Sequence, residues 1–585
     1  MRIRKLNSQQ EKSMKGKNSR WVSIYHPNIP FEIEIPDKDL ATLFFEQARI
    51  NAKQTFLIFE GKTKKYSQVS KEVTKLANSL LKLGIQKGDR IALLMPNCPQ
   101  FVISYLSTLA IGGITTAISP LYSASEIKFQ LKDSGATAII TLDMFLDKIR
   151  LVKKETNLRH VIVSSIADEL NPLKGFLYKN ILGRKNPKRE SPELSYKKLI
   201  KNGIEKKIEI KIDAKNDLAT LQYTGGTTGI PKGAMLTHHN LISQVIVLDY
   251  WMEWIGGKLP GIRDRSIGAI PFSHIFGLTT SFLWPFSVGG LIVIIPDPRE
   301  LETIMKLIQK YKIHFFMGVP ILYQKIAEHP KVTKYDWSSI RACISGGSAL
   351  HKSTLHLFEE KTNALLVEGY GLSEASPVTH INPVDDTLRR IGIGIPIPNT
   401  QAKLIDIDTE EDIPEKFPKN GLTQEGELAV KGPQVMKGYW KQPEETEKVF
   451  TAEGWLKTGD VAKMTEQGFF IIVDRLKDCI FTSGYQVWPL EIEEVLCKHP
   501  DISLAAVVPF VDEQANEKPK AFLVAAPNAP KRTPNELREF CKQYLAPYKV
   551  PKDFEYREEL PISPVGKILR RPLREELEKL ETIKN

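Results

Sequence analysis

The sequence predicts an α/β protein: a large N-terminal domain of parallel α/β sheets carrying a β-rich subdomain, then a small α+β C-terminal domain. Three observations predict it. Up to Pro396, short apolar strands alternate with helix-length segments. Several of those strands run into small, polar or glycine-rich loops, the place where open α/β sheets bind ligands. Beyond Asp474 the pattern changes to a compact module of roughly a hundred residues, long enough to fold alone.

Taken in order, residues 1–20 read as a basic, loosely attached tail. Leu40–Ala52 is an amphipathic helix, Thr55–Phe59 and the edge around Tyr66 are strands, and Val69–Leu83 is a helix ending at Gly84. Arg90–Met95 is a strand stopped by Pro96. Pro99–Leu109 places Phe101, Val102, Tyr105, Leu106 and Leu109 at helical spacing. Gly112–Ile118 is strand-like. Ser123-Ala-Ser-Glu126 is a capping box opening a helix through Leu131. Ala136–Leu142 and His160–Ser164 are strands, and Leu218–Leu221 approaches a glycine-rich loop that Ala234–His238 carries into a helix. Ile267–Ile270, Gly290–Ile295, His314–Val319, Arg341–Ile344 and Leu365–Glu368 are further strands. Gln401–Asp406, Gly426–Val430 and Gly468–Val473 form the β-rich subdomain. In the last module Pro489–Cys497 is a helix. Ser503–Val508, stopped by Pro509, and Lys520–Ala525 are strands. Thr533-Pro-Asn-Glu536 caps a helix with Leu537, Phe540, Cys541, Tyr544 and Leu545 on one face.

Composition narrows the class. The chain has 585 residues, 42% hydrophobic and 26% charged, which is globular. Its cysteines (Cys98, Cys343, Cys479, Cys497, Cys541) include no Cys-x-x-Cys pair, so neither a disulfide framework nor a zinc site is expected. No apolar run is long enough to span a bilayer, and the N-terminus lacks the apolar block of a signal peptide. The expectation is a cytoplasmic protein. The net charge of +12 is concentrated in the first twenty residues and between Lys174 and Lys207. It reads either as solvated charge or as a surface for an anionic partner. Leu173–Leu182 interleaves large apolar residues with lysine, which favours a lipid surface over nucleic acid, and no nucleic-acid module is present.

The chemistry centres on Tyr223–Gly233, Tyr-Thr-Gly-Gly-Thr-Thr-Gly-Ile-Pro-Lys-Gly. Gly225, Gly226 and Gly229 leave backbone N–H groups free to point into one concavity. Thr224, Thr227 and Thr228 add hydroxyls, and Lys232 adds a positive charge. Such a nest suits a polyphosphate. It is not a Walker A loop, because Lys232 is followed by Gly233 and no glycine stands before it. Alone, the stretch is also compatible with an ordinary glycine-rich turn.

That loop, with Gly369–Ser376, Trp455–Asp460, Asp474–Asp478 and Pro561-Ile-Ser-Pro-Val-Gly-Lys567, resembles in order and spacing the motifs of the adenylate-forming enzymes, from Leu40 to Arg571. Gly432–Trp440, Val565–Arg571 and the Leu173–Leu182 excursion resemble most the bacterial long-chain fatty acyl-CoA ligases. The resemblance implies a tail (1–20), an adenylation domain (21–473), a hinge (474–478) and a mobile C-terminal domain (479–585). It also implies two steps: fatty acid and ATP give acyl-adenylate and pyrophosphate, then CoA displaces AMP. Thr224–Lys232 would hold the β- and γ-phosphates. Glu374 and Thr228 would hold Mg²⁺. Tyr370, Gly347, Ser348 and Ala349 would line the adenine pocket, and Glu368, Gly369, Gly371 and Ser373 would be further ATP/AMP-binding residues. Asp460, helped by Arg475, would take the ribose hydroxyls, and His274 would sit beside the acyl carboxylate. Lys567 would reach between the carboxylate and the α-phosphate and balance developing charge, Lys477 would be the hinge, and Ser483, Gly484 and Tyr485 would meet CoA after domain rotation. Three alternatives stay open: a carrier-protein pantetheine as acceptor, a medium-chain or aromatic acid, and a scaffold without activity. A homodimer and an anionic membrane surface at the inner face also stay open. The Val245–Ile255 segment, with Tyr250, Trp251 and Trp254, either gates an acyl tunnel or packs as a core helix.

Overall fold

The structure, a computed structural model, describes residues 20–224, 231–256, 263–383, 391–482, 485–511, 517–563 and 567–584. Two large sheets form the N-terminal part. In one, seven strands run in the order Leu194–Ser195, His160–Ser164, Ala138–Leu142, Arg90–Leu94, Ile114–Ile118, Leu218–Thr224 and Lys232–Thr237. All neighbours are parallel except the last pair. The other sheet has nine strands, with a parallel centre from Thr55–Phe59 to Leu366–Gly371 and antiparallel edges. Its central strands, such as Phe315–Gly318 and Ala342–Ser345, are buried along their whole length. That is why they read as unbroken apolar runs.

Between the sheets, Pro99–Ala110 is buried at every position. Proline at its start uses a position where no N–H is needed. The Ser123 capping box forms as expected, and its helix runs to Ser134, where Gly135 ends it in the left-handed conformation (φ 63°). A four-stranded antiparallel sheet, Gln401–Ile405, Gly426–Lys431, Leu456–Met464 and Phe470–Arg475, follows. One apolar core extends from Trp21 to Phe470. A separate one runs from Ile480 to Phe554 beneath the strands Ile502–Val511, Glu517–Ala525 and Asp553–Tyr556.

Four local expectations are corrected. Tyr66 is not an edge-strand residue but the first residue of the Tyr66–Lys82 helix. Lys232–Thr237 is a strand, so the glycine-rich loop joins two antiparallel strands and the helix starts only at His238. Gly369, Tyr370 and Gly371 are strand, not loop. Pro509 does not stop its strand, which continues to Val511. That strand is at the sheet edge, and Pro509 lies opposite Pro519, where the missing N–H costs the ladder little.

Candidate active site

Antiparallel pairing sets the first element of the site. Asp460 and Arg475 are cross-strand partners in register, so the sheet itself holds them together. Arg475 Nε lies 2.9 Å from Asp460 Oδ1, and the Tyr370 hydroxyl donates to Asp460 Oδ2 at 2.5 Å. Asp460 is only 3% exposed. Burial, reinforced by Asp460, raises the Tyr370 phenol, which therefore stays a donor. Tyr370 is brought here by a strand that changes partner. Through Glu368 it pairs parallel with Ala342–Ser345, and from Gly369 antiparallel with Val378–Ile381. Glu368 accepts the Leu350 N–H at 3.1 Å. Burial pushes its carboxyl up to about 8, against that hydrogen bond and with help from Glu494. Gly347, at φ 88°, occupies a conformation that side chains resist. Together with Ser348 and Ala349 it forms the turn leading to Leu350.

The side expected to take the phosphates is built on the Leu218–Thr224/Lys232–Thr237 hairpin, in which Thr224 faces Lys232. Gly225, Gly226, Thr227, Thr228 and Gly229 lie outside the described residues. Ala234 bridges to Tyr439, and the Trp440 N–H donates to Gly233 O. This stitches Met436–Trp440 alongside the hairpin. Lys232, 6% exposed, forms an ion pair with Glu445 and lies 5.2 Å from the Tyr439 ring. Lys232 and then Lys448 hold the Glu445 carboxyl down at about 2. The Tyr439 hydroxyl donates to Glu374 Oε1 at 2.7 Å, and the Met436 N–H donates to the Glu374 carbonyl at the same distance. One Glu374 oxygen is thus oriented, and the other is free of hydrogen bonds to described residues. A partly exposed carboxylate oxygen is a hard donor and fits Mg²⁺. The partner expected from Thr228 is outside the described residues.

Lys567 arrives from the far end of the chain. A short hairpin presents it: the Ser563 N–H donates to Lys567 O at 2.7 Å, and the Leu569 N–H to Pro561 O at 2.8 Å. Residues 564–566 lie outside the described residues. Arg475 first, then burial, depresses the Lys567 amine to about 7. Asp460 opposes them, and Arg570 and Lys477 add to the depression. Lys567 in turn helps burial lower His274 to about 4. The neutral His274 ring accepts the Phe276 N–H on Nδ1 at 3.2 Å. The C-terminal module therefore lies against the N-terminal site with its lysine among Asp460, Arg475 and His274.

Comparison with known proteins decides the family. The profile of the AMP-binding enzyme family matches residues 44–440, and that of the AMP-binding enzyme C-terminal domain matches residues 491–567. The chain belongs to the AMP-binding enzyme family. It is 40% identical over 560 residues to a long-chain-fatty-acid–CoA ligase of Bacillus subtilis, spanning 95% of this chain and 98% of the relative. A ligase of the same name from Escherichia coli O157:H7 is 37% identical over 563 residues, with the same coverage. The crystal structure of ATP-bound MatB from Rhodopseudomonas palustris superposes with a TM-score of 0.79 at 26% identity, covering 93% of this chain and all of that one.

Other predicted residues of this AMP-binding enzyme divide clearly. Gly369, Gly371 and Ser373 flank Tyr370 and Glu374 in the chain and are carried with them. Ser483 and Gly484 lie outside the described residues, and Tyr485 opens a short strand, Tyr485–Val487. Trp251 is fully buried, with its ring 5.5 Å from Tyr25 and 4.8 Å from Trp254, so these tryptophans pack as core. Tyr250 is exposed at the same helix. Sequence reasoning gave no role to Tyr439, Glu445 or Arg570. Tyr439 and Arg570 lay inside quoted motifs, but nothing in the spacing of Glu445 marked it.

Two predictions arise here. Lys567 is charged below about pH 7, and approach of a polyphosphate raises its affinity for the proton. The kcat/KM for ATP, which reports the free enzyme, should fall as pH rises through about 7. The kcat should hold to higher pH. A stopped-flow pyrophosphate assay across pH checks this, and coincident profiles would remove Lys567 as the titrating group. Secondly, Glu445→Gln releases Lys232 from its carboxylate partner, so the KM for ATP should fall several-fold with kcat unchanged. An unaltered KM would show that ATP binds without displacing Glu445.

Proposed function

We propose that this enzyme activates a long-chain fatty acid with ATP and passes the acyl group to CoA. The observation that carries the reading is the convergence of Lys567 on Asp460, Arg475 and His274, groups from separate parts of the chain. A carboxylate is a poor electrophile, so its oxygen must first be made a leaving group. In the first step the carboxylate oxygen attacks the α-phosphorus of ATP and pyrophosphate departs. Two anions must meet, and Lys567 is positioned to neutralise both as the bond forms. Asp460 accepts the ribose hydroxyls, and Tyr370 and Arg475 hold its carboxylate for them. Glu374 would hold Mg²⁺, whose chemistry when bound would be to neutralise charge on phosphate oxygens. In the second step the CoA thiolate attacks the acyl carbon and AMP leaves with the electron pair. Lys567 has no part in that step. Rotation about Lys477, which is exposed, would carry Lys567 away and bring Tyr485 toward CoA.

The long-chain acid is supported by the near-full-length identity to ligases so named. An aromatic acid is the second reading, since a 4-coumarate–CoA ligase of Solanum tuberosum is 34% identical over 523 residues. Fatty acids of graded length and 4-coumarate, each with ATP, Mg²⁺ and with or without CoA, separate these. Thioester should form best with long chains. A preference for 4-coumarate would overturn the substrate class, and adenylate without thioester would overturn the acceptor. We also place the enzyme's work at the cytoplasmic face of an anionic membrane, supported by the basic charge between Lys174 and Lys207. Among the described residues, no helix is long and apolar enough to cross a membrane.

A further inference from the structure

One surface of the N-terminal domain plays no part in the site. The Pro172–Asn180 helix and the turn after it carry Leu173, Phe176, Leu177 and Ile181, exposed at 71, 66, 45 and 66%. Their spacing, i, i+3, i+4 and i+8, puts all four on one helix face. The apolar face of this helix points to solvent, the reverse of what a folding helix needs.

The opposite side is firmly seated. A side chain at Gly175 would come within 2.9 Å of Ala167 O, so the helix rests closely on the preceding turn. Asn171 caps its start by accepting the Lys174 N–H at 2.8 Å. Lys174 forms an ion pair with Glu60 at 2.9 Å. Beyond the helix, Asn186 donates to Asp143 at 3.0 Å, and Arg150 donates to Lys188 O at 2.7 Å. The polar contacts fix the segment, and the apolar face is left over.

The carboxylates near this segment are engaged, Glu60 with Lys174 and Asp143 with Asn186, whereas the cations that follow the helix are not. Arg184, Lys185 and Lys188 are exposed and form no ion pair with a described residue, and Met144, 48% exposed, lies beside Asp143. Large apolar side chains flanked by unpaired cations match the boundary of an anionic bilayer, where acyl chains take the former and headgroups the latter. A protein partner would have to pair those cations with carboxylates while covering a convex, two-turn helix. A lipid leaflet does both without a shaped interface.

We propose that the Pro172–Asn180 helix and the turn through Lys188 are a monotopic docking element that seats the enzyme on an anionic lipid leaflet. This deepens the membrane placement given above and is independent of which acid is activated. Each buried side chain adds hydrophobic attachment, and the cations add a salt-sensitive term.

The test is flotation of the full-length enzyme, without substrate, on vesicles of phosphatidylcholine alone or mixed with phosphatidylglycerol. The wild type should float with the mixed vesicles and be released in part by salt. The double variant Phe176→Ser/Ile181→Ser should lose affinity by about tenfold or more. Arg184→Gln/Lys185→Gln/Lys188→Gln should remove the preference for phosphatidylglycerol. Both should keep wild-type pyrophosphate release on a short, soluble acid, which shows that they fold and leaves the catalytic proposal untouched. Equal flotation of the apolar variant would overturn the assignment to this helix while keeping membrane attachment, as through the basic N-terminus. No flotation of the wild type would overturn both. A wild-type dimer in solution that the apolar variant converts to monomer would assign the face to a second copy instead.

Discussion

Lys567→Ala is expected to cut acyl-adenylate formation by about 10²–10³-fold, the loss that follows removal of one preorganised group from developing transition-state charge. It should leave transfer from pre-made acyl-adenylate to CoA nearly intact. The first half follows from position: the amine sits where Arg475 and Asp460 act on it and where it acts in turn on His274. The second follows from connectivity. Lys567 belongs to a module with its own apolar core that follows Asp474–Asp478, and the proposed rotation there would remove it from the site. Lys567→Arg keeps the charge but enlarges it beside Arg475, so it should restore only part of the rate. Single-turnover assays of the two half-reactions decide this. Equal loss in both would mean that Lys567 serves the thioester step too, and that the two orientations do not divide the work.

How much of this was legible beforehand depends on what each residue answers to. Strands such as His160–Ser164 and Thr55–Phe59 were legible because burial imposes a continuous apolar run. The Ser123 and Thr533 capping boxes were legible because each is a local hydrogen-bond arrangement that needs no tertiary partner. The glycine-rich loop was legible as chemistry but not as topology. Lys232–Thr237 reads as the approach to a helix, and only its pairing with Leu218–Thr224 makes it a strand. Tyr370 likewise looked like loop, because two glycines flank it. The sheet overrides that local preference by giving its strand a new antiparallel partner. Asp460 and Arg475 came through motifs, but their mutual fixing is a register fact visible only in the sheet. Glu445 was illegible: its contact with Lys232 spans 213 positions and follows no period.

Arg570→Ala should strongly destabilise the C-terminal module. Arg570 lies at the centre of three carboxylates, Glu493 at 2.6 Å, Asp478 at 2.9 Å and Asp474 at 3.2 Å. Burial alone would lower its affinity for the proton, but Glu493, then Asp474 and Asp478, more than reverse that. Asp474 also accepts the Leu490 N–H at 2.6 Å, so hinge, helix start and C-terminal helix meet at one point. Removing the arginine leaves buried carboxylates without their cation, a change of about 3–5 kcal/mol when one partner of a buried pair is lost. Arg574 still pairs with Asp478, so Asp474 and Glu493 bear most of it. Burial already raises the Asp474 carboxyl, and without Arg570 it rises further. Protonation therefore relieves the variant more than the wild type, and the stability gap should narrow as pH is lowered. Hydrogen exchange of Ile502–Val511 and Glu517–Ala525 in both proteins, at neutral and mildly acid pH, reads this directly. Adenylation should fall in parallel, because Lys567 stands three residues from the lost contact. Unchanged exchange at neutral pH would show that the cluster carries no net stability, and a gap that widened in acid would show that the carboxylates are not its source.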